Sequence, residues 1–383
     1  MNNKEKTLLQ KEIVDSLDPH PHGRLLLAPR VGKSKLAIDI IKREKPKSIT
    51  WVTPSTKLAE EDIPQEFETW GAKRYLKKLT TVTWASLDKI EGHSELVILD
   101  EEQFATENNL EKLLNGKHTF DYIISMTGTA TKHKEKQELY DKLDLSVLYE
   151  LNINDAVDIG LLSNYDLFVL EVDMGNQKTI LAGTKAKPFM VSEISQYQYL
   201  DRMAKQAMYQ KRRDAQFRIL ARRRFIANSM SKFNAAKFLM ENLEGRKLLF
   251  AGSIAQAEDL CKNVYHSKSD NKALKAFQKG EINEIAMVDA GGTGFTYRAI
   301  DHLIVVQTDS DKNGRTSQKI SRTLLQQKDY KAIIWLVSLT GTQDEKWVES
   351  ALENFDRSKV RYERLKNFLT GEEYFKKHFI NKL

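Results

Sequence analysis

Leu25-Leu26-Leu27-Ala28-Pro29-Arg30-Val31-Gly32-Lys33-Ser34 decides how this chain folds. The apolar run before Pro29 reads as a buried strand, and Gly32-Lys33-Ser34 then opens a helical pattern carried by Leu36, Ala37, Ile40 and Ile41. Strand, short loop and helix start, in that order, make a phosphate-binding loop. Backbone N–H groups at a helix start hold phosphate oxygens, and the helix dipole favours their negative charge. Arg30, Val31 and Gly32 would cradle the phosphates, Lys33 would reach the outer ones, and the Ser34 hydroxyl would ligand Mg²⁺. The loop departs from the usual pattern: Leu27 occupies the first glycine position, and Arg30 and Val31 replace small residues.

Downstream lies Leu96-Val97-Ile98-Leu99-Asp100-Glu101-Glu102-Gln103. Four successive apolar residues suit a strand buried on both faces of a parallel sheet. The acids then emerge at its carboxyl end, where open α/β sheets bind ligands. Asp100 is placed to hold Mg²⁺, and Glu101 to polarise the water that attacks a γ-phosphate.

The chain has 383 residues, enough for two domains or two with an appendage. A composition of 41% hydrophobic and 30% charged residues describes a soluble globular protein. No apolar stretch approaches the roughly 18 residues that span a bilayer, and Met1-Asn2-Asn3-Lys4-Glu5-Lys6 has no signal-peptide core. The lone Cys261 excludes an intrachain disulfide, fits a reducing cytoplasm and reads as a core thiol. Net charge is +7, a mild pointer to a polyanionic partner. Its distribution says more. Between Arg202 and Lys237 lie Lys205, Lys211, Arg212, Arg213, Arg218, Arg222, Arg223, Arg224 and Lys232, with Asp214 opposing them. Phe217, Phe225 and Phe233 recur among them, predicting an apolar helix stripe against the core and a basic opposite face for phosphate contact.

The first half alternates expected strands at 24–28, 48–53, 79–83, 96–100 and 122–126 with helical patterns, which means βαβ units. The second half repeats the theme at 167–172, 247–251, 285–288, 303–306 and 332–337, without a Gly-Lys-Ser. Two similar sheets with one phosphate loop suggest a nucleotide sandwiched between them. The expected division is an ATP-binding domain over 1–150, a second α/β domain over 151–345 with a basic helical elaboration around 175–240, and a helical tail over 346–383. His20 and His22 flank a Pro-Gly turn with no further ligand at metal spacing, so a structural role is expected, and Trp51 and Trp84 are expected to pack the first sheet.

Taken in order, these segments resemble the motor core of superfamily 2 helicases and translocases. Gly32-Lys33-Ser34 matches the family's first motif, and Gln10 is similar to the upstream glutamine that reads adenine in many members. Val52-Thr53-Pro54 and Val82-Thr83-Trp84-Ala85-Ser86-Leu87 are similar to motifs that line the nucleic-acid path. Asp100-Glu101-Glu102-Gln103 fills the signature acidic position, and Thr127-Gly128-Thr129 resembles the motif that couples ATP state to the strand. Asp155 to Leu162 resembles the passage into the second motor domain of restriction-type and recombination-type translocases. Leu248 to Ser253, Gly292-Thr293-Gly294-Phe295-Thr296 and Gln318-Lys319-Ile320-Ser321-Arg322 resemble motifs IV, V and VI. The resemblance spans about residues 8 to 345.

It implies two tandem RecA-like parallel-sheet domains that hydrolyse Mg²⁺-ATP. Lys33, Asp100, Glu101 and Arg322 would be catalytic, and Gln10, Gly294 and Gln318 would join the phosphate loop around the nucleotide. Nucleic acid would meet Thr53, Pro54, Thr83, Ser86, Ser253 and Thr293, with Arg212, Arg213, Arg222 and Arg223 adding phosphate contacts. The Thr-Gly-Thr motif and the Asp155 segment favour DNA over RNA as the track. The pattern's second motif VI arginine is Leu325 here. Arg322 would then act alone, or Arg298 or Arg315 would substitute, or hydrolysis would be slow. That departure leaves two alternatives beside a DNA motor: an RNA helicase, and a nucleotide-gated clamp with weak ATPase activity.

Overall fold

The computed structural model describes residues 3–128, 134–288, 299–308, 315–321, 323–324 and 330–370. The chain divides into two compact units, one formed by Met1–Ser163 and the other beginning at Asn164. In the first, α1 (Asn3–Asp15) precedes β1 (Gly23–Leu27) and α2 (Lys33–Glu44). There follow β2 (Ile49–Thr53), α3 (Ile63–Thr69), β3 (Leu79–Thr83), β4 (Gly92–Asp100) and α4 (Glu107–Asn115), then β5 (His118–Thr127), α5 (Lys134–Lys142), β6 (Val147–Leu151) and α6 (Ile153–Asp158).

These strands form one parallel sheet in the order β3-β2-β4-β5-β1-β6. Every residue of β1 and β2 is buried, because helices cover both faces. On one face Val52, Val97, Leu99 and Ile123 pack with Leu110 and Leu113 of α4 and Tyr140 of α5. On the other, the buried Trp51 meets the Phe67 ring edge-on at 5.9 Å. Each such fully buried apolar side chain contributes about 1.5–3 kcal/mol by transfer from water. α4 begins where Thr106 and Asn109 cap each other's backbone N–H groups reciprocally. β6 carries the first sheet past Glu150, at the outer side of β1.

The second unit comprises β7 (Asn164–Val172), β8 (Lys178–Thr184), β9 (Lys187–Ser192), α7 (Glu193–Tyr209), α8 (Ala215–Ala227), α9 (Met230–Asn242), β10 (Lys247–Phe250), α10 (Ile254–Leu260) and β11 (Val264–Tyr265). It continues with α11 (Lys272–Lys279), β12 (Glu284–Met287), β13 (His302–Val305), α12 (Arg315–Ser321), β14 (Lys331–Leu339), α13 (Gln343–Leu352), β15 (Val360–Arg364) and α14 (Leu365–Thr370). Its main sheet is also parallel, ordered β11-β12-β10-β13-β14-β7-β15. Leu249, Ile304, Trp335 and Val337 form its core with Ala235, Ala236 and Leu239 of α9, and Cys261 is buried among them. Two tandem parallel α/β sheets are thus present, as the alternation predicts.

Three local expectations change. The phenylalanine stripe is not one helix face: α8 stops at Ala227, and Ser229 caps a new helix, so Phe233 belongs to α9. Phe217 is 66% exposed rather than core. Within 175–240, β8 and β9 form an antiparallel hairpin, and α9 packs into the second core instead of standing outside it. The tail is not helical throughout, because Val360–Arg364 adds a parallel strand beside β7. An open sheet edge presents unpaired N–H and C=O groups, and a segment alternating Val360 and Tyr362 with charged residues satisfies them.

Candidate nucleotide-binding site

The first sheet's register assembles the site. Leu26 pairs with Thr127, and Asp100 with Met126, so β1, β4 and β5 end level with β5 between the other two. The chain after β1 turns through Arg30 at φ 67° and Gly32 at φ 91°, both left-handed, before α2 begins at Lys33. Glycine accepts that conformation freely, whereas at Arg30 it costs about 1 kcal/mol or more. Glu101 is left-handed as well, at φ 50°, directly after β4. Such strain gathers at sites whose surroundings hold the backbone in place.

Lys33 and Glu101 meet directly, Nζ donating to Oε1. Behind Glu101, Gln103 Nε2 donates to Glu101 Oε2 at 2.6 Å, and Gln103 Oε1 accepts from the buried Thr127 hydroxyl at 2.5 Å. Lys33, Glu101, Gln103 and Thr127 therefore form one continuous chain, reaching from the start of α2 to the first threonine of Thr127-Gly128-Thr129. Thr129 lies outside the described residues.

The third member of the acidic segment has a different task. Glu102 is 1% exposed and accepts from Arg24 of β1 at 3.0 and 3.2 Å through Nε and at 2.5 Å through Nη2. Ser125 of β5 also donates to Glu102. The Arg24 guanidinium lies 4.3 Å from the Tyr140 ring centroid. This buried pair ties β1 and β5 to the turn that carries Glu101. The sequence alone assigns Glu102, Gln103 and Arg24 no individual roles. A lone arginine within an apolar strand is the signal that was available.

Gln10 is buried on α1 and donates to the Val31 carbonyl at 2.6 Å. A Cβ on Gly32 would come within 2.5 Å of Gln10 Nε2 and would have to displace that amide, and the left-handed φ disfavours any other residue there. Lys6, one turn before Gln10, has its ammonium held below the ordinary lysine value, first by burial and then by Arg30 and Lys35. Cations crowded around a loop of helix-start N–H groups are poised for an anion. Asp100 shows the converse: burial, then the adjacent Glu101 carboxylate, push it up to about 7. A divalent cation would reverse that cost, and a carboxylate with the Ser34 hydroxyl is an all-oxygen donor pair suited to Mg²⁺. The residues present fit both groups.

The expected nucleic-acid residues occupy varied settings. Thr53 is buried at the end of β2, with Pro54 half-buried beside it. Thr83 donates to Ser86 at 3.2 Å, and Ser253 caps α10 by accepting from Gln256 N at 3.3 Å. Arg212 and Arg218 both bind Asp214, and Arg213 and Arg224 are exposed. Arg222, by contrast, is 7% exposed and donates to Asp201 at 2.6 Å, so it holds α8 against α7 instead of presenting charge to solvent. Gln318 is half-buried on α12. Thr293, Gly294, Arg298, Arg322 and Leu325 lie outside the described residues. Trp84 packs in the first core and donates to the Asp100 carbonyl at 3.1 Å, while His22 bridges the Leu143 carbonyl and the Ile123 N–H. Among the described residues no helix is long and apolar enough to cross a membrane.

No protein-family model matches the sequence, and no curated protein matches it. Solved structures do. The ATP-dependent Type ISP restriction-modification enzyme LlaBIII bound to DNA aligns at a TM-score of 0.56 and 13% identity, over 95% of this chain and 31% of that one. S. cerevisiae Dbp5 bound to RNA and ADP BeF3 aligns at a TM-score of 0.52 and 10% identity, over 96% of this chain and 92% of that one. The chain shares the fold of these two structures, built here on two tandem RecA-like parallel sheets.

Proposed function

We propose that this chain is an ATP-hydrolysing nucleic-acid motor acting on DNA. The observation that carries this reading is the side-chain chain Lys33–Glu101–Gln103–Thr127, running along the level ends of β1, β4 and β5. Lys33 and the loop N–H groups would bind the β- and γ-phosphates, releasing Glu101 from its ion pair to orient the attacking water. Ser34 and Asp100 would hold Mg²⁺, which would neutralise developing phosphate charge. Gln103 and Thr127 would sense whether Glu101 faces a γ-phosphate and pass that state to the Thr127-Gly128-Thr129 segment. Arg322 would supply charge on the opposite side of the γ-phosphate, as the resemblance implies. Nucleic-acid tracking is supported by the DNA and the RNA in the two aligned structures. DNA is favoured by the Thr-Gly-Thr motif and the Asp155 to Leu162 segment.

Steady-state ATP hydrolysis with Mg²⁺ tests the reading, alone and with single-stranded DNA, duplex DNA or RNA. DNA should stimulate turnover by about tenfold or more, and Lys33→Ala should abolish it by removing the phosphate-binding cation. Stimulation by RNA alone would transfer the track to RNA. Binding of DNA without stimulated turnover would favour the clamp.

The proton on Asp100 gives a second expected result. Mg²⁺ must displace it, so Mg²⁺ affinity should rise about tenfold per pH unit below about pH 7 and level off above. In the metal-free protein the sign for stability is opposite. A carboxyl raised from its unfolded value favours the fold below about pH 4, and that contribution is lost as pH rises through about 7. Mg²⁺ titrations of fluorescent-nucleotide binding from about pH 5.5 to about pH 8.5 check this, and Asp100→Asn should flatten the profile.

A further inference from the structure

Outside the nucleotide site, α7 presents a face that the fold leaves open. Gln198, Arg202, Gln206 and Tyr209 lie along one side of the helix at spacings of four, four and three, so they share a face. They line a groove of about 740 Å³ floored by Met174, the buried Tyr197 and Gly341. At Gly341 nothing lies within 4 Å of a would-be Cβ, which leaves that part of the groove clear. Tyr209, at the mouth, is 91% exposed. Such exposure of a large aromatic ring withholds area from the core, and a flat ring beside cations is a platform for a planar ligand.

The charge around the groove selects that ligand's class. Asp201 lines the groove, but its carboxylate is shared by Arg222 and Lys205, each at 2.6 Å, so the trio carries net positive charge. Arg202 adds a further cation on the exposed face. The chain then leaves α7 through Lys211, Arg212 and Arg213, all exposed, with Lys211 held left-handed at φ 49°. A polyanion is therefore favoured. The two glutamine amides each offer a donor and an acceptor, the pairing that base edges require and an aliphatic anion does not.

We propose that this α7 groove is a subsite for one unpaired nucleotide of a nucleic-acid strand. The base would stack on Tyr209, its edge would meet Gln206 about one turn away, and its phosphate would run toward Arg202. Base stacking on aromatic rings is sequence-tolerant, as a motor's track requires. The proposal deepens the nucleic-acid reading and rests on it. It also gives the inserted helices a task that the nucleotide site does not explain.

The test uses the full chain and fluorescein-labelled oligonucleotides, read by anisotropy: a single strand, an abasic strand of equal length and a blunt duplex. Tyr209→Ala should weaken the single strand by about tenfold. It should leave the abasic strand unchanged, and Tyr209→Phe should restore wild-type binding. Arg202→Gln should lower the salt slope on single strands by about 0.7. Because Tyr209 is almost fully exposed, its truncation removes no packing. Wild-type binding with stimulated ATP turnover, but equal affinities for wild type and Tyr209→Ala, would overturn the groove while sparing the motor. Equal weakening of intact and abasic strands would overturn the stacking assignment. Wild-type protein that binds no oligonucleotide would remove the motor reading and the groove with it.

Discussion

Glu101→Gln is expected to lower ATP turnover by about 10²–10⁴-fold, the range in which a positioned general base contributes. Nucleotide binding should survive, for a reason visible in the site. Glu101 pairs with the Lys33 ammonium and would compete for it with a bound phosphate, and the neutral amide removes that competitor. Affinity for ATP should therefore hold or rise while the chemical step fails. The substitution keeps an acceptor for Gln103 Nε2 and does not change the left-handed turn's steric demand. Single-turnover hydrolysis alongside fluorescent-nucleotide titration separates the two effects. Undiminished turnover would assign the base to another residue and sever the relay from catalysis. Nucleic-acid remodelling that persists in this variant would identify a clamp, because a motor cannot step without hydrolysis.

Breaking the buried Arg24–Glu102 pair carries the second large effect. Arg24→Ala or Glu102→Ala should each destabilise the first unit by about 3–5 kcal/mol, since either leaves its partner charged and enclosed. The joint replacement Arg24→Met with Glu102→Leu should recover most of that loss, because no unpaired charge remains. Hydrogen exchange of β1, β4 and β5 is the appropriate readout, as it reports this sheet separately from the second unit. If single and joint variants exchange alike, the pair contributes packing rather than electrostatics. The joint variant should still lose activity: Glu102 anchors the turn that presents Glu101, and an apolar side chain cannot accept from Ser125.

Much of the architecture was legible in the chain because its signals are local. Apolar runs of strand length, each followed by helical periodicity, define βαβ units without reference to distant residues. The Gly32-Lys33-Ser34 turn and the Asp100-Glu101 strand end are readable for the same reason, since strand, turn and helix start are contiguous. Where local signals conflict with packing, the chain misleads. Arg222 sits in a run of arginines that reads as a solvated basic face, yet the approach of α7 encloses it against Asp201. Phe217 looks like core by periodicity and is exposed in the first turn of α8. Val360–Arg364 follows a helix, within a charged tail, and becomes a strand because β7 offers an unpaired edge.

The sequence by itself determined that this chain makes parallel α/β sheets, that a Gly-Lys-Ser turn follows its first strand, and that two carboxylates end a later one. Tertiary structure alone decided that β5 lies between those strands, and that Gln103 joins Glu101 to Thr127 across it. It also decided that Glu102 turns inward to Arg24 while its neighbour Glu101 faces Lys33. The physical reason is that strand order and register come from packing between segments far apart in the chain. Adjacent carboxylates acquire opposite roles from the partners that packing brings to them, and no local pattern encodes those partners.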